Sequence, residues 1–85
     1  MTDTEIADVV VSVIADAFSL DEAYIAKHPD LNFRIDLAAT SMQYFFLLTE
    51  LEEKLDVGME SHDFQSKAYT VADAVSYVTK LVRAY

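Results

Sequence analysis

Residues 40–55 read TSMQYFFLLTELEEKL, and this stretch decides the fold. Thr40 and Gln43 have the spacing of a capping box, in which the Thr and Gln side chains satisfy each other's backbone N–H groups. This local pairing predicts that a helix begins at Ser41. A helix-ending Asp-Val-Gly segment follows, so the helix is predicted to end at Leu55.

Two apolar stripes at helical spacing predict further long helices, one near each end of the chain. The first begins with a capping-box pattern at Thr2 and Glu5, and the last begins with Thr70, which Asp73 follows three residues later. A shorter helix is predicted in the segment SHDFQSKA, residues 61–68. The first stripe comprises Ile6, Val9, Val10, Val13, Ile14, Ala17 and Phe18. The last stripe comprises Val71, Ala74, Val75, Val78, Leu81, Val82 and Tyr85.

The connection between the first and middle helices, residues 20–39, is long for a compact domain, and such connections are usually functional or contain a helix of their own. A Ser19-x-x-Glu22 pattern predicts a short helix here, ended by Pro29. A lone strand would have no partner, so we predict that four alternating apolar residues pin the connection to the bundle instead. These are Leu31, Phe33, Ile35 and Leu37.

The length and composition restrict the class of protein. The chain has 85 residues, which suits a single domain spanning residues 1–85. It contains no cysteine, which excludes disulfide frameworks and thiol-ligated metal sites. We see no signal-peptide pattern and no apolar run of about 20 residues, so we expect a cytoplasmic protein without membrane insertion.

The charge balance points to the kind of partner. Fifteen acidic residues stand against six basic ones, which gives a net charge of −9. Nucleic acid and anionic membranes would repel such a chain, so neither is expected as a partner. A basic protein surface is the natural counterpart of this charge, and solubility alone is the alternative. We expect a monomer.

The middle helix carries more apolar surface than its core contacts require. At about 100° per residue, one group of apolar residues faces the core: Tyr44, Leu47, Leu48, Leu51 and Leu55. Met42 and Phe46 point away from that group, and Phe45 lies between the two. We interpret the second face as a partner-docking surface with an acidic rim, unless the long connection folds over it. Its residues are Met42, Gln43, Phe45, Phe46, Thr49, Glu50 and Glu53.

No catalytic set is convincing, so we do not expect an enzyme. His28 and His62 have no Ser or Cys partner arrangement and no metal-ligand spacing. Asp30, Asn32 and Asp36 faintly resemble a calcium loop, but the required glycine and the final acidic ligand are both missing. No Gly-rich phosphate loop is present. We therefore predict no catalytic residue and no metal ligand. Ser41, taken alone, is either a helix-start residue or a modification site.

The motifs together resemble those of the acyl carrier protein family. The family's Asp-Leu-Gly-x-Asp-Ser-Leu run corresponds to DLAATSM, residues 36–42, and its Leu-Glu-Glu segment corresponds to residues 51–53. Phe33 matches the family's loop Phe, and YTVADAVSYV, residues 69–78, is similar to its closing pattern. The resemblance covers nearly the whole chain. It implies an all-α, acyl-carrier-protein-like four-helix bundle with a long first loop and a short third helix.

The resemblance also implies a function. Ser41 would be the attachment point for 4′-phosphopantetheine, which a phosphopantetheinyl transferase passes from coenzyme A. The arm would hold acyl intermediates as thioesters and present them to fatty-acid or polyketide enzymes such as a ketosynthase or acyltransferase. An apolar interior lined by residues such as Leu47, Leu51, Val75 and Val78 would shelter the acyl chain.

The chain departs from the family pattern at four positions. Thr40 stands for the family's Asp and Ala38 for its Gly, and Gln43 and Phe46 stand for acidic residues on the exposed helix face. These departures suggest a specialised carrier whose partners read an apolar patch. Two alternatives remain open: an unmodified acidic helical interaction module, and a carrier of peptidyl or aminoacyl groups.

Overall fold

The computed structural model describes residues 1–84, and α-helices form nearly all of their regular structure. The helices in chain order are α1 (Asp3–Phe18), α2 (Glu22–Lys27), α3 (Ser41–Leu55), α4 (Ser61–Lys67) and α5 (Val71–Ala84). The predicted all-α class is confirmed, with α4 as the predicted short helix and α2 as a helix inside the long connection. The stripe residue Tyr85 lies outside the described residues.

Reciprocal side-chain caps fix the starts of the three long helices. Capping boxes form at Thr2 with Glu5 before α1 and at Thr40 with Gln43 before α3, as the sequence predicts. At the start of α5, the Thr70 hydroxyl accepts from the Asp73 N–H at 3.1 Å, and the Asp73 carboxylate accepts from the Thr70 N–H at 3.2 Å. Each pair satisfies donors that a helix N-terminus leaves without intrahelical partners.

The start of α2 differs from the prediction. The N-cap is Asp21, whose carboxylate accepts a hydrogen bond from the Ala23 N–H at 3.3 Å. Ser19 instead ends α1 in a left-handed conformation with φ of 55°. Only residues 19 and 20 therefore separate the end of α1 at Phe18 from the N-cap of α2 at Asp21. α2 ends at Lys27, two residues before Pro29, as expected because proline disfavours helical geometry in the residue preceding it.

One cluster of buried residues includes side chains from all five of these helices. Within this cluster the Phe33 ring contacts Tyr44 of α3 and Phe64 of α4, with ring centroids 6.1 and 6.4 Å away. Centroid separations of this size are typical of stabilising aromatic contacts. The five predicted core residues of α3 are all buried: Tyr44, Leu47, Leu48, Leu51 and Leu55.

The long connection is pinned by three of its four alternating residues. Phe33 is fully buried, and Leu31 and Leu37 are half-buried against the core. Ile35 is 82% exposed, so the prediction that it pins the loop is wrong. The cause is a turn at Asn32, whose side-chain oxygen accepts from the N–H groups of residues 34 and 35 at 2.9 and 3.0 Å. The turn ends the extended alternation that the prediction assumed.

Candidate functional site

Ser41 is the first residue of α3 and its side chain is exposed. The preceding residue caps this helix, because the Thr40 hydroxyl accepts a hydrogen bond from the Gln43 N–H. The Ser41 hydroxyl is therefore not committed to the cap. Ser41 is a helix-start residue by its position, but capping does not explain why a serine stands there.

The loop before Ser41 is held by short hydrogen bonds. The N–H of Asn32 donates to the Asp36 carboxylate at 2.8 Å, and the N–H of Ala39 donates to the Phe33 carbonyl at 2.8 Å. The Phe33 N–H also donates to the carbonyl of Tyr69 at 2.9 Å, beside the start of α5. Ser41 thus follows a loop that is fixed to both the core and the last helix. Asn32 is the sequence signal for this turn, and it is a weak one when it stands alone.

Ala38, three residues before Ser41, has φ of 49°. This is the left-handed region, which residues with a Cβ atom enter only at an energetic cost and which glycine enters freely. The family's motif has glycine at this position. The backbone at residue 38 therefore adopts a conformation that glycine enters freely, although this chain has an alanine there.

An open cleft of about 530 Å³ lies beside Ser41, between α3 and α4. Most of its exposed lining surface is apolar, although five of its nine lining residues are polar: Ser41, Thr49, Glu52, Ser61 and Gln65. Of the four residues that we expected to line an acyl-sheltering interior, Leu47, Leu51 and Val78 are fully buried in the core and Val75 is half-buried, and none of them lines this cleft. Its apolar lining residues are Met42, Phe45, Leu48 and Met59.

Three large apolar side chains on α3 are exposed. Met42 is 77% exposed, Phe45 70% and Phe46 41%, and we call these three residues the α3 patch. The long connection does not cover them. Met42 and Phe45 also form part of the cleft wall next to Ser41, whereas Phe46 does not.

The polar residues predicted around the α3 patch fall into two groups. Glu53 is exposed, and Thr49 and Glu50 are half-buried on the same helix. The side chain of Gln43 is occupied, because its oxygen accepts from the Thr40 N–H at 2.9 Å and its nitrogen donates to the Ala17 carbonyl at 3.4 Å. Gln43 therefore has a structural role at the helix start, and its role as a partner contact stays a prediction.

A hydrogen bond that the sequence did not predict joins α4 to α5. The Tyr77 hydroxyl donates to the Asp63 carboxylate at 2.7 Å, and Lys67 forms an ion pair with the same carboxylate at 3.0 Å. The Tyr77 hydrogen bond, followed by the one from Lys67, lowers the pKa of Asp63. Burial and then the Asp63 hydrogen bond raise the pKa of Tyr77 to about 12. This pair holds the helix that forms one wall of the Ser41 cleft.

Known proteins resemble this chain over nearly its full length. It is 36% identical over 78 residues to an acyl carrier protein of Lactobacillus johnsonii, covering 92% of this chain and 94% of that one. It is 38% identical over 77 residues to an acyl carrier protein of Rubrobacter xylanophilus, covering 89% and 90% of the two chains. A third, from Chlorobium phaeovibrioides, is 34% identical over 80 residues. No protein-family model matches the chain.

The chain belongs to the acyl carrier protein family. As an acyl carrier protein it is a carrier and not an enzyme. No helix among residues 1–84 of this carrier combines the length and apolar character needed to cross a membrane.

Proposed function

We propose that Ser41 is the attachment point for 4′-phosphopantetheine, transferred from coenzyme A by a phosphopantetheinyl transferase. The main support is the position of the serine: it is exposed at the start of α3, is not used by the cap and borders an open cleft. Proteins of this family generally carry this group. When bound, its terminal thiol would carry acyl intermediates as thioesters.

The residues around Ser41 fit this group. A phosphodiester on the hydroxyl would lie at the N-terminus of α3, where the helix dipole and free backbone N–H groups favour negative charge. The first turn of α3 contains no acidic residue that would repel it. Asp56, the C-cap of α3, lies at the opposite end of that helix.

The cleft beside Ser41 supports a sheltering role for this chain. Its apolar walls at Met42, Phe45, Leu48 and Met59 can contact aliphatic cargo along one side and remove part of its surface from water. The floor residue Glu52 accepts a hydrogen bond from the Met59 N–H at 3.1 Å, which fixes the α3–α4 connection at the edge of the cleft. We place the cargo in this cleft because the cleft borders Ser41, whereas the core residues Leu47, Leu51 and Val78 do not line it.

The α3 patch is the proposed docking surface for acyl-processing enzymes such as a ketosynthase or acyltransferase. Exposed aromatic and Met side chains provide contact area in protein interfaces. Glu50 and Glu53 form the acidic side of the rim and steer a basic partner surface. We propose that the carrier acts in fatty-acid or polyketide-type synthesis, as a cytoplasmic monomer.

Intact-mass spectrometry tests the attachment site. The purified chain is incubated with coenzyme A and a broad-specificity phosphopantetheinyl transferase, and we expect a mass gain of one phosphopantetheine. The Ser41→Ala variant should show no gain. Ser61→Ala is the matched control, because Ser61 lines the same cleft and should leave the modification intact. A mass gain in the Ser41→Ala variant would contradict the proposal. So would the absence of any mass gain in the native chain with several transferases.

One observation favours a second function. Thr40 keeps the helix cap but lacks the negative charge of the family's Asp beside the serine. If transferases need that charge, the chain acts as an unmodified acidic interaction module, and the mass experiment then shows no gain. A peptidyl or aminoacyl carrier would gain the same mass, and its cargo is identified by loading assays with acyl and aminoacyl donors.

A further inference from the structure

A second groove lies away from Ser41, between α1, α2 and α5. Its volume is about 620 Å³, and it shares no lining residue with the Ser41 cleft or the α3 patch. The walls are built from small and aliphatic side chains: Ala7, Val11, Ala23, Ala26, Val71 and Val75. Small side chains at a groove allow another backbone to approach closely. The carrier function described above does not use this groove.

The shape of the groove favours a polypeptide segment over a small molecule. Sites for small molecules bury most of the ligand surface. Here Ala23, Ala26 and Ala72 are exposed along the groove, so it is open to solvent over much of its length. An amphipathic helix that places one apolar face in such a groove is a recurrent form of peptide recognition.

The charges at the groove indicate which kind of segment fits. Its two charged lining residues, Asp8 of α1 and Glu22 of α2, are both acidic and exposed, and no basic residue lines it. The chain as a whole has a net charge of −9. A second copy of the chain and an anionic surface would both be repelled, whereas a cationic segment would be attracted.

We propose that the groove between α1, α2 and α5 binds a cationic amphipathic helix of a partner protein. Aliphatic residues of the helix occupy the groove, and its Lys or Arg residues pair with Asp8 and Glu22. The Ser41 cleft and the α3 patch contribute nothing to this site. A partner bound here holds the carrier while Ser41 remains accessible to enzymes that act on the cargo.

Nuclear magnetic resonance titration of the unmodified Ser41→Ala chain tests this proposal independently of the prosthetic group. The probe is a synthetic helical peptide with Leu on one face and Arg beside it. Two control peptides replace the Arg residues by Glu or the Leu residues by Ser. We expect only the cationic amphipathic peptide to bind, with amide shifts concentrated at Ala7, Ala23 and Ala72.

Two pairs of charge substitutions then locate the contact. Asp8→Asn with Glu22→Gln should weaken peptide binding by roughly fivefold at low salt, as expected for two rim charges. Asp16→Asn with Asp56→Asn removes the same charge from exposed positions outside the groove and should change peptide binding less than about twofold. Equal effects of the two pairs would overturn the proposal. So would shifts centred on the α3 patch, the absence of binding, or concentration-dependent groove shifts without peptide, which would indicate self-association.

Discussion

The Thr40 hydroxyl accepts a hydrogen bond from the Gln43 backbone N–H at 3.2 Å, and the Gln43 side-chain oxygen accepts one from the Thr40 backbone N–H at 2.9 Å. This reciprocal pair allows the residue before Ser41 to differ from the family's Asp without loss of the helix start. At this position a residue can therefore cap the helix without carrying the negative charge of the family's Asp.

We expect Thr40→Ala to lower the free energy of unfolding by about 1 kcal/mol, because it removes the acceptor for a helix N-terminal donor. Thr40→Asp should keep the stability near that of the native chain, since Asp is an equally good N-cap. Urea unfolding measures both. Thr49→Ala, in the middle of α3, controls for the loss of a Thr side chain, and an equal loss there would show that capping is not the cause.

Ala38→Gly should stabilise the chain. Ala38 has φ of 49°, where the Cβ atom is unfavourable. Relief of this strain outweighs the extra freedom that Gly gives the unfolded state, and we expect a gain of about 0.5–1 kcal/mol. The control is Ala39→Gly, because residue 39 is not among the positive-φ positions and the change should there be destabilising. A loss of stability in both variants would contradict the assignment of strain.

The accuracy of sequence-based prediction differs between local and distant features of this fold. The bounds of α3 are predictable because the Thr40–Gln43 cap is a contact between residues three positions apart. Ile35 is misplaced because period-two alternation assumes an extended chain, and the Asn32 side chain turns the chain instead. Asn at that position signals a turn only weakly, so the alternation dominates the interpretation.

The candidate site is predictable to a similar degree. The position of Ser41 at the helix start and the exposure of the α3 patch follow from helix geometry, whereas the role of Ser41 as an attachment point is implied only by the family resemblance and stays a prediction. The Tyr77–Asp63 bond joins two helices across 14 residues of sequence, and no local pattern encodes it. The groove between α1, α2 and α5 likewise depends on how three helices pack, which the stripes on the separate helices do not specify.

The Tyr77–Asp63 pair should make stability depend on pH at both extremes. The folded pKa of Asp63 lies below its usual value of 3.8, so this contribution is present above that value and is lost as the pH falls through the folded pKa. The pKa of Tyr77 rises from 10.0 to about 12, so its contribution is complete below pH 10.0 and is lost as the pH rises through 12.

Tyr77→Phe should therefore destabilise the chain most at intermediate pH. The difference from the native chain is measured by thermal unfolding across the pH range, and it should shrink below about pH 4 and above about pH 10. Tyr69→Phe alters an exposed tyrosine and is the matched control. Because the substitution keeps the ring that packs on Phe64, a difference that is constant with pH would mean that the Tyr77 hydroxyl contributes independently of the ionisation of Asp63 and Tyr77.

Attachment of phosphopantetheine to Ser41 should stabilise the fold. The phosphate would add negative charge at the start of α3, whose first turn has no acidic residue, and we expect a gain of about 0.3–1 kcal/mol at low ionic strength. Urea unfolding of the modified and unmodified chains measures it. Added salt should reduce the gain through screening. A gain that salt leaves unchanged would point to packing of the arm in the cleft instead.

Phe46→Glu should separate docking from stability. Phe46 is 41% exposed on α3, whereas the next residue, Leu47, is 1% exposed. We expect Phe46→Glu to change the free energy of unfolding by less than about 1 kcal/mol. Leu47→Ala should lower it by about 2–5 kcal/mol, because it leaves a cavity in the core.

The same variant should lose affinity for partner enzymes. Removing an aromatic contact from the α3 patch and adding a charge should weaken binding to a ketosynthase or acyltransferase by roughly tenfold. Calorimetric titration of the modified carrier measures it, with Glu53→Gln as a rim variant that changes mainly the salt dependence. If Phe46→Glu destabilises the chain as strongly as Leu47→Ala, Phe46 belongs to the core. If stability and affinity both stay unchanged, partners dock on a surface other than the α3 patch.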